Sequence, residues 1–172
     1  AISDIYDSLV ASYYGDKAAR EKMHIAQCMA GMAFSNALLG IAHSLAHKTG
    51  AVFHIPHGCC NAILLPSVIE FNAKVCAERY AAIARHIGLP GKTDEQLTSA
   101  LVDSIKALNK KLDIAQTYKE NGVSEEVLNE HADAIAANAV LDPCTGSNPR
   151  QIDKEQMKQV LLCAYYGTPV TF

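Results

Sequence analysis

Apolar residues recur at three- and four-residue spacing along almost the whole chain, and sustained two-residue alternation is scarce. That period predicts helices. A short one spans about Ser3 to Tyr14 and is closed by Gly15; a long helical segment, rich in Ala, Met and Leu, runs from about Lys17 towards Gly50. The stretch AVFHIPHG reads as irregular or briefly extended, punctuated by Pro56 and Gly58. The strongly apolar CCNAILLPSVIEFNA follows, with Pro66 expected to kink or divide it. Further helices are predicted near Val75–Ile87, Asp94–Lys110, Glu125–Asn138 and Lys154–Tyr165. Thr93 with Gln96 and Asp153 with Gln156 stand at capping-box spacing, and Ser124 precedes two glutamates of a first helical turn. Gly88–Lys92 and Asp142–Arg150 read as loops, and Tyr165–Tyr166–Gly167 as a helix ending. The fold class expected is all-α, a helical bundle without internal repeats.

Length and composition narrow the picture. The chain has 172 residues, enough for one domain; 49% hydrophobic and 19% charged residues suit a sizeable core and argue against disorder. The net charge is −3, with no basic run to favour nucleic acid or an anionic membrane. No stretch such as NAILLPSVI is long enough to span a bilayer, and the N-terminus lacks the order of a signal peptide. The six cysteines match no zinc ribbon or disulfide framework, which points to reduced thiols and a cytoplasmic location. Because the first residue is Ala, the chain is expected to begin inside a longer one.

Candidate chemistry sits in the histidines. Of seven, four fall within fifteen residues: His43, His47, His54 and His57. His43 and His47 are four apart and share a helix face, which Asn36, Gly40 and Ser44 extend as a polar or small stripe. Phe34, Leu38, Ile41 and Leu45 form a second stripe, expected to pack in the core. Any single histidine of the four could be an ordinary core or surface residue; the cluster argues for a site. Neutral imidazole is a preferred ligand of transition metals. Spacing alone leaves open whether an i,i+4 pair is two ligands or one ligand and one relay.

The run GMAFSNALLGIAHSLAHKTGAVFHIPHGCCNAILLPSVIEFN resembles the signature region of the iron-containing alcohol dehydrogenases, and DPCTGSNPR resembles a C-terminal loop of that family. The resemblance extends from Ala1 to about Tyr166. Its flavour is that of lactaldehyde/propanediol oxidoreductases and the alcohol dehydrogenase half of bifunctional aldehyde–alcohol dehydrogenases. It implies that residues 1–172 are the C-terminal helical domain of a two-domain dehydrogenase, whose N-terminal α/β nucleotide-binding domain is absent from this chain. In that family one divalent metal is held by an Asp and three His. His43 and His57 match the last two of these ligands. His47 matches a catalytic histidine beside the nicotinamide and substrate, hence also a cofactor contact. Phe34 and Cys144 match substrate-lining positions, and His54 is left structural.

The reaction so implied interconverts an alcohol with an aldehyde or ketone. It uses Fe²⁺, or Zn²⁺ as the alternative ion, and NAD or NADP in the intact parent, which is expected to be a homo-oligomer. The metal would act as a Lewis acid on the substrate oxygen, and His47 would accept, relay or orient. Asn36 and Ser44 are candidate acceptors for the ligands' second ring nitrogens. Two departures matter. Neither the family's Asp-x-x-x-His pair nor a glycine-rich nucleotide loop occurs here, so the chain alone is expected to be inactive and to hold metal weakly. On a straight helix Phe34 would also lie about half a turn from His43, so its substrate role requires a helix break near Gly40; otherwise it is core. Cys59–Cys60 read as small core residues, and Lys106, Lys110 and Lys111 as a solvated face. The competing reading is a non-catalytic helical assembly module that retains the family core.

Overall fold

The computed structural model describes residues 1–172 and consists of helices alone: α1 (Ile2–Tyr13), α2 (Lys17–Ala37), α3 (Ile41–Phe53), α4 (His57–His86), α5 (Asp94–Lys111), α6 (Glu125–Val140) and α7 (Lys154–Tyr166). A 3-10 turn at Pro143–Ser147 lies between α6 and α7. The all-α expectation holds. The start signals also act as read: Thr93 and Asp153 close reciprocal capping boxes with Gln96 and Gln156, and the Ser124 side chain accepts from the Val127 N–H. Gly167, at φ 74, ends α7 in the left-handed conformation.

The long segment from Lys17 to Gly50 is two helices, not one. Leu38 turns to φ 63, ψ −171, and α3 departs from α2 at 109°. This divides the second apolar stripe. Ile41 and Leu45 are fully buried, whereas Phe34 and Leu38, on the other side of the break, are 48% and 63% exposed. A stripe drawn on one continuous helix does not survive a change of axis. α2 packs mainly on α1 and buries only Ala19 and Ala26. α3 in turn runs to Phe53, past the point where irregular chain is expected, and ends at His54 in the left-handed region (φ 54).

α4 is the central element. It carries Pro66 without dividing there, although proline lacks the N–H that would bond the Ala62 carbonyl. That carbonyl accepts instead from Asn109 Nδ2 on α5 at 2.8 Å. The break in helical geometry lies ten residues later, at Cys76 (φ −143, ψ 34), so the predicted Val75–Ile87 helix is the last part of α4. At 30 residues α4 is long and apolar enough to cross a membrane by length and composition, yet half of its most apolar window is buried within the protein. It serves as the core helix.

The larger core joins α3, α4, α6 and α7 through Ile41, Leu45, Ile63, Leu64, Phe71, Leu128, Ile135, Met157 and Leu161. Each such side chain contributes about 1.5–3 kcal/mol on burial. A smaller cluster, Ile69, Ala81, Ala84, Leu97, Leu101 and Val102, fixes α5 against α4. Cys60 is buried in the larger core and Cys59 lies at its margin, the small core residues they were read to be. The core thus clamps α3 and the start of α4 together, and these two segments carry the histidines.

Candidate functional site

Two helix starts aim the imidazoles at one another. His43 and His47 stand one turn apart on α3, and His57 is the first residue of α4, after the reversal at His54–Pro56. The His43 and His57 ring centres are 5.2 Å apart, those of His47 and His57 5.3 Å with the rings near parallel, and those of His43 and His47 6.2 Å. Two imidazoles sharing a tetrahedral ion at about 2.1 Å would put their ring centres about 5 Å apart. The donor chemistry fits as well. Burial, followed by the neighbouring His57 and His47, lowers the His43 pKa below its ordinary value and keeps the ring neutral, the state that ligates.

His57 is exposed, and its Nε2 lies 3.0 Å from the Asn61 amide nitrogen, which also donates to the His57 carbonyl. The Asn61 Oδ1 is a buried acceptor left without a partner. Such an orphan marks a polar pocket whose protein groups are incomplete by themselves. His43 and His57 therefore fit part of a divalent-metal site, two donors where a catalytic ion generally takes three from protein. A different trio, His47, Asp142 and Cys144, brings its ligand atoms within 4.8 Å of one another. Its carboxylate is already satisfied by an ammonium and a backbone N–H, and burial pushes the Cys144 thiol up, away from thiolate, so this trio is the poorer metal site.

Asp142 organises the rest. Its Oδ2 lies 3.1 Å from His47 Nδ1 and 3.0 Å from Lys48 Nζ, and its Oδ1 accepts the Cys144 N–H at 3.1 Å. Burial would raise its pKa, but the Lys48 ammonium, the Cys144 N–H and the His47 ring hold the carboxyl far below the usual carboxylate range. Thr145 Oγ1 donates to the Ala139 carbonyl at 2.6 Å and meets Ser44 Oγ at 2.7 Å, so the 3-10 turn is stapled to α3. The Asn72 and Asn148 amides pair reciprocally at 3.0 and 2.8 Å, and Asn148 Oδ1 also faces the Ile41 N–H at the start of α3. Gly40 lies so close that a Cβ there would stand 3.2 Å from Asn148 Oδ1. The amide pair thus sets where α3 begins, and with it the height of His43.

Of the residues singled out from the sequence, His43, His47 and His57 come together, and Cys144 lies beside His47. Phe34 does not join them: it sits half-exposed on α2 and makes no ring contact with the three histidines. Asn36 turns back to the Met32 carbonyl, and Ser44 is taken by Gly40 and Thr145, so neither supports a ligand ring. Asn61 instead contacts the His57 ring, and Asp142 holds His47. The sequence does not mark Asp142, Lys48, Asn61 or Asn72 as site residues, and it marks Asn148 only as suited to a tight turn. Asp142 had a local signal, as an Asp able to cap the turn it opens, and Asn61 stands one helical turn after His57; Lys48 and the Asn72–Asn148 pair act through partners distant in sequence.

The family model described as "Fe-containing alcohol dehydrogenase family, C-terminal" matches residues 1–165. An NADPH-dependent butanol dehydrogenase of Clostridium saccharobutylicum is 59% identical over 172 residues, which is all of this chain and 44% of that protein. A lactaldehyde reductase of Escherichia coli K12 is 40% identical over 167 residues, 96% of this chain and 43% of the relative. The solved iron-containing alcohol dehydrogenase of Thermococcus thioreducens superposes with a TM-score of 0.87 at 36% identity, over 96% of this chain and 42% of that one. The chain thus spans under half the length of these relatives.

Proposed function

This chain belongs to the iron-containing alcohol dehydrogenase family, whose C-terminal part it matches, and from that premise we propose that it forms the metal- and substrate-facing half of an enzyme interconverting an alcohol and an aldehyde or ketone. The observation that carries the reading is the convergence of three imidazoles at the junction of α3 and α4. His43 and His57 would hold Fe²⁺, with Zn²⁺ as the alternative ion. When bound, the metal supplies Lewis acidity that lowers the pKa of the substrate alcohol. His47, anchored by Asp142, accepts the hydroxyl proton and passes it to solvent through its exposed edge. Cys144, beside His47, lines the substrate side. Phe34 reaches that pocket only if its outer wall comes from chain that lies beyond these residues.

The hydride acceptor is a nicotinamide nucleotide, taken as NADP on the precedent of the NADPH-dependent relative. Its binding domain belongs to the remainder of a longer, cytoplasmic protein, and residues 1–172 alone are inactive. The test is metal content and turnover of the full-length protein purified without oxygen, with His43→Ala, His57→Ala and His47→Ala compared. The first two are expected to lose the ion. The third keeps it and loses about 10²–10⁴-fold in kcat. Stoichiometric metal retained by both His43→Ala and His57→Ala would overturn the assignment.

A further inference from the structure

His47 has two ring nitrogens, and a neutral ring offers only one lone pair. We propose that Asp142 is a positioning residue that fixes the tautomer of His47: it holds the proton on Nδ1 and leaves the Nε2 lone pair facing the site as an acceptor. The catalytic consequence rests on the dehydrogenase reading above; the tautomer itself does not.

The geometry carries it. The Asp142 carboxylate is the hydrogen-bond partner of the His47 side chain, at Nδ1 and 3.1 Å. An ionised carboxylate only accepts, so Nδ1 must donate. Asp142 is kept ionised on every side: Lys48 Nζ stands at 3.0 Å on the same oxygen and the Cys144 N–H at 3.1 Å on the other. Asp142 is itself buried. A neutral ring with its proton on Nδ1 has its lone pair on Nε2. The His47 ring stacks on His57 at 5.3 Å and lies 6.2 Å from His43, so the ring that carries this lone pair is a member of the three-imidazole cluster. Lys48 therefore acts at one remove, by neutralising the carboxylate without entering the site. His47, on this arrangement, takes a proton and does not donate one until it is charged.

Replacing Asp142 by Asn reverses the logic in a way a merely structural residue would not. The Cys144 N–H is backbone and cannot turn away, so it keeps the amide oxygen of D142N on its own side. The amide NH₂ then occupies the place of Oδ2. Lys48, whose side chain is partly exposed, can swing out to water. The NH₂ donates to His47 Nδ1, and the ring proton must move to Nε2.

The experiment is long-range ¹H–¹⁵N correlation of the histidine rings in the ¹⁵N-histidine-labelled chain, assigned with His47→Gln, at a pH where the ring is neutral. The wild type is expected to show Nδ1 protonated and Nε2 bare, K48M the same, and D142N the reverse. A proton on Nε2 in the wild type overturns the proposal, as does Nδ1–H persisting in folded D142N. The wild-type and K48M spectra decide the matter if D142N does not fold. In the full-length enzyme D142N should keep its metal and lose about 10–100-fold in kcat/KM. An inverted tautomer with full activity would leave the tautomer assignment standing and remove the base role from His47.

Discussion

An imidazole that ligates a cation has to be neutral, and the surroundings of His43 favour that form. Burial and two neighbouring rings lower its pKa, against the opposing pull of Asp142. The sign for stability follows from proton counting. Below the ordinary imidazole value of about 6.5 the unfolded chain binds a proton that folded His43 resists, so this contribution is full above that pH and declines as pH falls through it. Asp142 acts lower down. Its depressed pKa gives stability that is present above the unfolded carboxylate value of about 4 and is lost on further acidification. The urea midpoint should therefore fall between about pH 8 and pH 5.5, and His43→Asn should flatten that decline. An unchanged slope in the variant would mean that His43 is not the group responsible.

At the scale of the helix, α4 continues through Pro66 with a hydrogen bond supplied by another element. Asn109 Nδ2 satisfies the Ala62 carbonyl that proline leaves free, so α5 is pinned to α4 at the place where α4 would otherwise yield. Asn109→Ala should cost about 1–3 kcal/mol, because a buried acceptor loses its partner. Pro66→Ala restores the native helical donor and should recover part of that loss. Chemical denaturation of the two single variants and the double variant measures the coupling, and strict additivity would refute the link. The α2–α3 break is the other decisive feature. Leu38 adopts φ 63, ψ −171, a conformation costly for a side chain with a Cβ, and the next helix begins where Asn148 meets Gly40. That turn separates exposed α2 from the histidine-bearing helix.

For the whole molecule, what stands out is an uncovered face. Ile25, Met29 and Met32 recur at helical spacing along α2 and are 40–60% exposed, with Phe34 and Leu38 exposed nearby. Contiguous apolar surface of this kind is ordinarily covered in a folded assembly. The isolated chain should therefore self-associate, and a variant carrying Ile25→Glu, Met29→Glu and Met32→Glu should sediment as a monomer. Sedimentation of the unaltered chain as a clean monomer at high concentration would count against this. The matched relatives are more than twice as long as this chain, which agrees with a surface that other chain covers.

Local chemistry made much of this protein legible from its residues in order. The 3.6-residue period set the all-helical class, side-chain caps at Thr93, Ser124 and Asp153 set helix starts, and the density of histidines around His43–His57 marked the site. Each of these signals is read within a few residues of chain. Tertiary structure decided the rest, because the rest depends on partners far apart in sequence. Asp142 reaches His47 across 95 residues, Asn148 pairs with Asn72 across 76, and Asn109 completes the helix around Pro66 across 47. A carboxylate or amide in a loop carries no local mark of which distant polar group it will satisfy. Packing brings them together, and the break at Leu38 sets the helix that carries Phe34 apart from the one that carries His43 and His47.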